Sequence, residues 1–338
     1  MAIENGTNGT AANGTSTNGA SNGTSNGTSN GTSTYKVLEY SDEIHAEQPE
    51  DLVIGEHGYK YRLVEGRVMP PYITPARYAL SRTIATRPTD ICFVSYPKSG
   101  STWLSYILVL LTGGTSSGAT LRDSLHWVES SWTYPRSAAD LEAAPAPRIF
   151  KSHMPYAMGL GGNPAHNPAK YIYIARNPKD VCASYYYFES GKSWSGYYQG
   201  GWDHWLGMFM AGKVQRGDWF DHALGWWERS KEADNILFLT YEDLKADTRG
   251  ELARIARFLG VGVSEELLAE VERKIGFKEM QQTEFSALKD VKEFNKFFRK
   301  GQVGSWKEYF TVAQSEAFDR LWRERVVGSG LEEKMRFE

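Results

Sequence analysis

Three short apolar runs, separated by segments with helical periodicity, constrain the fold of this chain most strongly. The runs are Ile91–Tyr96, Lys170–Ala175 and Ile236–Thr240. Each run is continuous and ends at turn or polar residues, as is typical of strands buried on both faces. Helices are predicted at Trp103–Leu111 and at Glu251–Leu259, which Gly260 closes. Alternating strands and helices predict a single α/β domain with a central parallel β-sheet flanked by helices.

The first 34 residues differ from the remainder in composition. Met1–Thr34 is an Asn-Gly-Thr/Ser tract with almost no apolar side chains, so it cannot bury enough surface to offset its ordering entropy and is predicted to be disordered. Residues 35–338 then form the folded domain. Repeated N-x-[ST] matches, beginning at Asn5, leave a glycosylated secreted arm open. Because the N-terminus has no charged-then-apolar signal pattern, a flexible tail on a cytoplasmic protein is favoured.

Composition argues against several classes of partner. The 338 residues include 38 basic and 41 acidic ones, for a formal net charge of −3, so nucleic acid is not an expected partner and any anion site must be local. The two cysteines, Cys92 and Cys182, lie in apolar runs and are predicted to be buried, reduced thiols. With no CxxC or clustered Cys/His spacing, no metal is predicted. No apolar run approaches the roughly 20 residues of a membrane span.

The segment after the first strand has the features of a phosphate-binding loop. Ser95–Trp103 passes from a strand through small residues, one lysine and several hydroxyls into a helix. Gly100 permits close approach of a ligand to the backbone, and the helix N-terminus offers unpaired amides to an anion. Because Lys98 precedes the glycine, the loop does not match the usual nucleoside-triphosphate motif. A P-loop-like anion site is nevertheless favoured over a simple turn.

A second cationic position follows the strand at Lys170–Ala175. Arg176 stands at the end of this strand and can bind a phosphate through two charge-assisted hydrogen bonds. Asn177-Pro178 supplies the N-cap and first-turn proline of the next helix. Ser184 lies roughly two helical turns further on, so it can share the face of the helix start.

Four motifs together resemble the cytosolic sulfotransferases, the family that conjugates phenols, steroids and amines. Tyr96–Trp103 resembles that family's 5′-phosphosulfate loop, and Arg176–Val181 with Ser184 resembles its 3′-phosphate site. Lys151-Ser152-His153 is similar to the segment that carries the catalytic histidine. Phe298-Arg299-Lys300-Gly301, continuing to Gly304 and Trp306-Lys307, is similar to the C-terminal nucleotide signature. The motifs occur in the family's order across residues 96–307.

The resemblance implies that the donor is PAPS (3′-phosphoadenylyl sulfate), that the product is PAP, and that no metal takes part. His153 would be the general base, since imidazole has a pKa near neutrality. Lys98 would stabilise the bridging oxygen as its bond to sulfur breaks. Lys151, two residues before the histidine, can face the same site from an extended segment. The family's equivalent of Ser184 also contacts the loop lysine.

The same resemblance implies a set of nucleotide-binding residues. These are Lys98, Ser99, Gly100, Ser101, Thr102, Trp103, Arg176, Ser184, Tyr241, Thr283, Phe285, Phe298, Arg299, Lys300 and Gly301. Two positions depart from the family pattern. Ser101 replaces the usual threonine and keeps the hydroxyl, whereas Ser305 replaces the usual aspartate before Trp306 and is expected to alter packing of the C-terminal segment.

The acceptor is predicted only as a small molecule. The aromatic residues Trp127, Trp132, Phe188 and Trp194 either line an apolar pocket suited to a ring or belong to the core. Lys307–Glu316 resembles the family's dimerisation motif, and its alternative is a solvated charge pair at a helix start. Two other functions stay open: a catalytically silent PAP- or PAPS-binding regulatory protein, and a carbohydrate or protein sulfotransferase, which normally needs a membrane anchor.

Overall fold

Two β-sheets organise the protein in the computed structural model, which describes residues 51–113, 124–131, 136–190, 198–282 and 300–335. The first sheet is antiparallel and comprises β1 (Leu52–Ile54), β2 (Lys60–Val64) and β3 (Arg67–Met69). The second contains only parallel pairs and has the order β5-β6-β4-β7-β8. Its strands are β4 (Ile91–Ser95), β5 (Leu125–His126), β6 (Ile149–Ser152), β7 (Lys170–Ala175) and β8 (Ile236–Thr240).

Helices connect and cover the parallel strands. In chain order they are α1 (Pro75–Thr83), α2 (Ser101–Leu111), α3 (Ala138–Ala143), α4 (Pro178–Ser190), α5 (Trp202–Met210), α6 (Trp219–Ser230), α7 (Tyr241–Ala246), α8 (Thr248–Leu259), α9 (Glu265–Lys274), α10 (Phe277–Gln282), α11 (Val312–Val326) and α12 (Leu331–Lys334). Three of them, α2, α4 and α7, begin within a few residues of the carboxyl ends of β4, β7 and β8. The predicted class, an α/β domain with a central parallel sheet, is confirmed.

The central strands bury both of their faces, which explains their continuous apolar sequences. All five residues of β4 are buried. Ile91 and Phe93 pack into the core cluster that contains α2, whereas Cys92 and Val94 pack on the opposite side with the buried tryptophans of α5 and α6. Alternate residues of one strand therefore serve two cores, as the period of two in a strand requires.

The antiparallel sheet was not predicted, because its strands are short and mostly half-exposed. A third, smaller core cluster joins Val64 and Met69 of this sheet to Met154 and Met158, which follow β6. This packing brings the antiparallel sheet against the segment that carries His153.

Several other sequence predictions are tested by the fold. Cys92 and Cys182 are both buried and free, which confirms reduced thiols. Gly260 closes α8 with a φ of 73°, as predicted. The described residues belong to one compact unit, Gln48–Glu338, while the predicted tail Met1–Thr34 lies outside them. Among the described helices, none combines the length and apolar character needed to cross a bilayer.

Candidate functional site

The loop between β4 and α2 is shaped to approach a ligand closely. Lys98 and Gly100 both adopt left-handed conformations, with φ values of 71° and 103°. A Cβ atom on Gly100 would lie 2.9 Å from the ring of Tyr241, so no larger residue fits there without a shift. Gly100 is also the N-cap of α2 and offers no capping side chain, which leaves the first amides of this helix available to an anion.

Polar atoms of this loop are buried in an arrangement that suits a ligand. The Ser99 side chain is fully buried, and its Oγ atom has no hydrogen-bond partner among the described residues. Such a buried polar atom costs free energy unless something binds it. The Lys98 ammonium lies 4.2 Å from the ring centroid of Phe188. Predicted loop residues are thus placed together at the carboxyl end of β4.

The predicted adenine residues Trp103 and Tyr241 contact each other edge to face, with ring centroids 5.4 Å apart. Lys245 lies 5.3 Å from the Trp103 ring, and the Trp103 Nε1 atom has no partner within the described part of the chain. The other two predicted adenine residues, Thr283 and Phe285, fall outside the residues that the structure describes.

Arg176 joins the phosphate loop to the C-terminal segment. Its Nη1 atom donates to the Lys98 carbonyl at 3.2 Å, and its Nη2 atom donates to the Gln302 carbonyl at 2.9 Å. The guanidinium also covers the Tyr241 ring at 4.7 Å. Ser184 is buried on α4, two turns into the helix. The structure therefore brings Arg176 together with the backbone of the loop lysine and with Gln302 of the C-terminal signature.

Sequence reasoning gave no role to Asp180, which the structure makes a central contact. Asp180 is fully buried in the first turn of α4. Its carboxylate accepts the Gly304 amide at 2.8 Å, and the Ser305 hydroxyl and the Trp306 amide at 3.0 Å each. Ser305, the departure from the family pattern, is thus a donor to a buried carboxylate. An aspartate there would instead place a second acidic side chain beside Asp180.

The C-terminal signature is only partly described. Gly301 has a φ of 61°, and a Cβ there would lie 2.5 Å from the Phe277 ring. Lys300 forms an ion pair with Glu308, so its predicted contact with the nucleotide would require a change of partner. The predicted residues Phe298 and Arg299 lie outside the described residues.

His153 follows β6 and is held with a defined proton position. Its Nδ1 atom lies 2.8 Å from the carbonyl oxygen of Ser95. A carbonyl can only accept a hydrogen bond, so Nδ1 carries the proton and donates it. The neutral ring therefore presents an unprotonated Nε2, which has no hydrogen-bond partner among the described residues.

The environment of His153 favours its neutral form. Burial lowers the pKa of His153 well below its ordinary value, and the positive charges of Lys151 and Arg216 lower it further. Burial also lowers the pKa of Lys151 to about 8, against the opposing influence of Glu129. The Lys151 ammonium lies 3.9 Å from the Trp127 ring centroid, and this ring lies 5.6 Å from that of His153. The predicted pair Lys151 and His153 is thus joined through Trp127, with Lys151 half-buried and His153 buried.

A second layer of residues, absent from the sequence predictions, orients the histidine. The buried Glu129 accepts the His153 backbone amide at 3.2 Å. His222 contacts the His153 carbonyl through Nε2 at 3.2 Å and the Tyr173 hydroxyl through Nδ1 at 2.9 Å. Burial lowers the pKa of His222 to about 3, so this ring is neutral at physiological pH. Glu129 and His222 are 24 and 69 residues from His153 in the sequence. At these separations they form no local motif with the histidine that sequence analysis could recognise.

Two of the four predicted acceptor-side aromatics can be placed. Trp127 packs against both His153 and Tyr72, the latter at 5.5 Å, and Phe188 lies under Lys98. Both therefore contact the candidate catalytic residues. Trp132 and Trp194 lie outside the described residues.

One cluster away from this site has the atom types of a metal site. Glu56, His57 and His204 place three potential ligand atoms within 4.8 Å of one another. The His204 ring already contacts Glu56 at 2.9 Å and the Tyr198 hydroxyl at 2.8 Å. Hydrogen bonding accounts for this arrangement, which sequence spacing did not reveal.

Comparisons with known proteins agree on one family. A model of the sulfotransferase domain matches residues 88–332. Sulfotransferase 1C2 from Homo sapiens is 32% identical over 285 residues, which cover 80% of this chain and 94% of the relative. Sulfotransferase 2B1 from Mus musculus is 39% identical over 257 residues, 73% of this chain and 74% of the relative.

Solved structures give the same result. The crystal structure of mouse sulfotransferase SULT7A1 complexed with PAP matches with a TM-score of 0.68 and 30% identity, covering 81% of this chain and 96% of that one. Retinol dehydratase in complex with androsterone and PAP matches with a TM-score of 0.67 at 23% identity, over 81% of this chain and 88% of that one. The latter likeness concerns the fold alone.

Proposed function

Since this chain belongs to the sulfotransferase family and is a PAPS-dependent enzyme, we propose that it transfers the sulfuryl group to a hydroxyl or amine of a small-molecule acceptor and releases PAP. The transfer is in line, with His153 as general base. The observation that carries this proposal is the proton position of His153, whose Nδ1 donates to the Ser95 carbonyl at 2.8 Å and so leaves Nε2 as a base.

The donor end of the site fits the nucleotide by its chemistry. The uncapped amides of α2 and the buried Ser99 hydroxyl supply hydrogen bonds for the 5′-phosphosulfate. Arg176 and Ser184 are assigned to the 3′-phosphate, and Arg299 is assigned with them from the sequence. The Arg176 Nε atom is buried without a hydrogen-bond partner among the described residues, which supports a charge-assisted contact there. Trp103 and Tyr241 are assigned to the adenine.

The reaction at the acceptor end is a displacement at sulfur. The acceptor oxygen forms a bond to sulfur while its proton moves to Nε2 of His153, and the bond between sulfur and the bridging oxygen of the 5′-phosphate breaks. Lys98 stabilises the negative charge that develops on the leaving phosphate. Because the donor is already activated, positioning and electrostatics dominate, as in phosphoryl transfer.

Turnover measurements test this function directly. Purified protein is incubated with PAPS and a panel of phenols, alcohols and amines, and PAP release and sulfated product are quantified together. We expect stoichiometric formation of both with at least one small acceptor. Tight PAP binding without product from any acceptor would instead support a silent regulatory protein, and product only with a carbohydrate or protein acceptor would support the remaining alternative.

Two further expectations, on oligomeric state and on cellular location, extend the proposal. The segment Lys307–Glu316 would join two copies of the chain, as its resemblance to the family's dimerisation motif implies, and its Val312 is 76% exposed. Light scattering of wild-type protein and Val312→Glu would test this dimerisation, and a wild-type monomer at all concentrations would contradict it.

A cytoplasmic location is supported by a Danio rerio relative named cytosolic sulfotransferase 1, and fractionation of the native cells would test it.

A further inference from the structure

Arg216 is a buried cation for which the described residues supply few hydrogen-bond acceptors. The side chain is 2% exposed, and its Nε and Nη2 atoms have no hydrogen-bond partner in the described part of the chain. The Nη1 atom contacts thioether sulfurs, those of Met154 at 3.6 Å and Met69 at 3.8 Å, which are weak acceptors. A guanidinium in this state is unfavourable unless an anion binds it.

The backbone holds Arg216 in place at a conformational cost. Its φ of 75° lies in the left-handed region, which is uncommon for residues other than glycine and recurs at functional sites. The Arg216 amide donates to the Val68 carbonyl of β3 at 2.8 Å, so the antiparallel sheet fixes this position. Lys98, the catalytic candidate in the phosphate loop, shares the same unusual backbone conformation, with a φ of 71°.

Arg216 belongs to the acceptor side of the site. Met154, which contacts its Nη1 atom, is the residue after His153. The Arg216 guanidinium lies 5.9 Å from the Tyr72 ring centroid, the Tyr72 ring lies 5.5 Å from Trp127, and Trp127 lies 5.6 Å from His153. Arg216, two aromatic rings and the proposed base therefore form a continuous set of neighbours.

The other buried charges near His153 have different contacts. Glu129 accepts the His153 amide and acts on the charge of Lys151. Glu189 acts electrostatically on Tyr59, Tyr72 and Tyr185, and raises their pKa values. Among the described residues, neither carboxylate lies within the 4.0 Å of an ion pair with Arg216. The Tyr72 hydroxyl is a neutral partner of Arg216: burial raises the pKa of Tyr72, and the charge of Arg216 and a side-chain hydrogen bond with it act in the opposite direction.

We propose that the acceptor carries an anionic group, a carboxylate in the simplest case, and that Arg216 binds this group while His153 faces the hydroxyl to be sulfated. The inference rests on the sulfuryl transfer proposed above. Arg216 supplies planar N–H donors suited to a carboxylate, and Tyr72 and Trp127 supply aromatic surface for the body of the molecule. The substrate class is therefore hydroxy acids with an apolar or aromatic frame.

Binding such an anion would also assist the base. Arg216 is one of the positive charges that lower the pKa of His153. An anionic partner on Arg216 offsets that charge, so Nε2 of His153 becomes a stronger base when the matching acceptor is in place.

Matched acids and esters test the inference. Steady-state rates with PAPS are measured for 4-hydroxybenzoate, 4-hydroxyphenylacetate and 3-(4-hydroxyphenyl)propanoate, each beside its methyl ester. In the wild type we expect at least one acid to exceed its ester tenfold or more in kcat/KM. Arg216→Met should lower kcat/KM for that acid at least tenfold, mainly through KM, and change the ester less than threefold. Arg229→Met, an exposed arginine on α6, is the matched control and should change neither.

The outcomes separate this inference from the proposed function. Esters that exceed their acids throughout the wild-type series would overturn the inference and leave sulfuryl transfer intact, as would an equal loss for acid and ester in Arg216→Met. Transfer to no acceptor of any kind would overturn the proposed function and this inference with it. PAP affinity and the melting temperature confirm that the variant folds, and if it does not, the wild-type comparison alone decides.

Discussion

The donor end and the acceptor end of the site treat charge in opposite ways. At the donor end, the charges have close polar partners: Arg176 donates to two carbonyls and pairs with Asp180 at 3.6 Å, and Asp180 also accepts two amides and a hydroxyl. At the acceptor end, the half-buried Lys151 lies beside an aromatic ring and the buried Arg216 beside a thioether, and, after burial itself, both charges lower the pKa of His153. The charges of the donor end are thus held by close polar partners, whereas those of the acceptor end lie beside groups that stabilise a charge only weakly.

This difference separates recognition from reactivity. Backbone contacts fix the geometry of the donor end, so it can bind one nucleotide tightly and hold its leaving group. Within the described part of the chain, Lys151 and Arg216 form no ion pair, so the acceptor end is sensitive to what enters it, because each added charge acts at low dielectric. We therefore expect mutations at the acceptor end to leave the affinity for the nucleotide unchanged, and mutations at the phosphate-binding residues of the donor end to lower it.

His153→Ala should give the largest effect and acts on rate alone. Loss of the base should lower kcat by roughly two to four orders of magnitude, the usual contribution of general-base catalysis, while PAP affinity changes less than about twofold. Rates and calorimetry measure the two quantities, and His166→Ala, an exposed histidine, is the control. A loss of rate below about tenfold would remove His153 from the proton transfer.

The pH dependence of kcat/KM in the wild type tests the protonation state of His153. Because the pKa of His153 is lowered by burial and by two positive charges, its neutral form persists as pH falls, and kcat/KM should decline only well below pH 6.5. If the charge of Lys151 is needed, a decline should also begin near its pKa of about 8 and move to higher pH in Lys151→Arg. An acidic limb above pH 6.5 would contradict the assigned environment of His153.

Arg176→Met should give an intermediate effect that is confined to affinity. A hydrogen bond to a charged group contributes about 1.5–3 kcal/mol, so PAP should bind roughly tenfold more weakly or worse. The affinity for AMP, which lacks the 3′-phosphate, should fall little in this variant, and the wild type should bind PAP more tightly than AMP. Calorimetry with both ligands measures this, with the exposed Arg320→Met as control. Equal losses for PAP and AMP would mean that Arg176 positions the loop rather than reading the 3′-phosphate.

Deleting Met1–Thr34 should have the smallest effect, since none of the matched motifs begins before Tyr96. A segment that is disordered in the folded and unfolded states contributes almost nothing to their free-energy difference. Turnover and melting temperature should therefore match those of the full chain. Intact mass of the full chain from its native host checks for sugars. Reduced activity on truncation, or attached glycans, would contradict the sequence interpretation of this tract.

Sequence reasoning predicted the donor end better than the acceptor end. The strands Lys170–Ala175 and Ile236–Thr240 have the predicted bounds, because both are continuous apolar runs with clear stops. The helix predicted from Trp103 begins at Ser101, since its polar first turn lacks the apolar periodicity used to find it. The phosphate loop is local in sequence, so strand, glycine and helix start can be recognised together.

Apart from Lys151-Ser152-His153, the acceptor end is assembled from distant segments that no local pattern marks. Glu129, Arg216 and His222 gain their roles only when the sheets pack against each other. Arg216 follows a turn between α5 and α6, yet its backbone is held by Val68 of the unpredicted antiparallel sheet. Asp180 was part of a recognised motif, but its partners 124 to 126 residues away were not predictable from spacing.

The anchorage of the C-terminal segment by Asp180 has a consequence for synthesis of the chain. The phosphate loop and α4 leave the ribosome long before Gly304, Ser305 and Trp306, the three residues that Asp180 binds. In a nascent chain, Asp180 can keep its ion pair with Arg176 at 3.6 Å, but it lacks the two amides and the hydroxyl until the last tenth is made. The donor end of the site is therefore completed late in synthesis, and the nucleotide reaches its full affinity only after Gly304, Ser305 and Trp306 have been added.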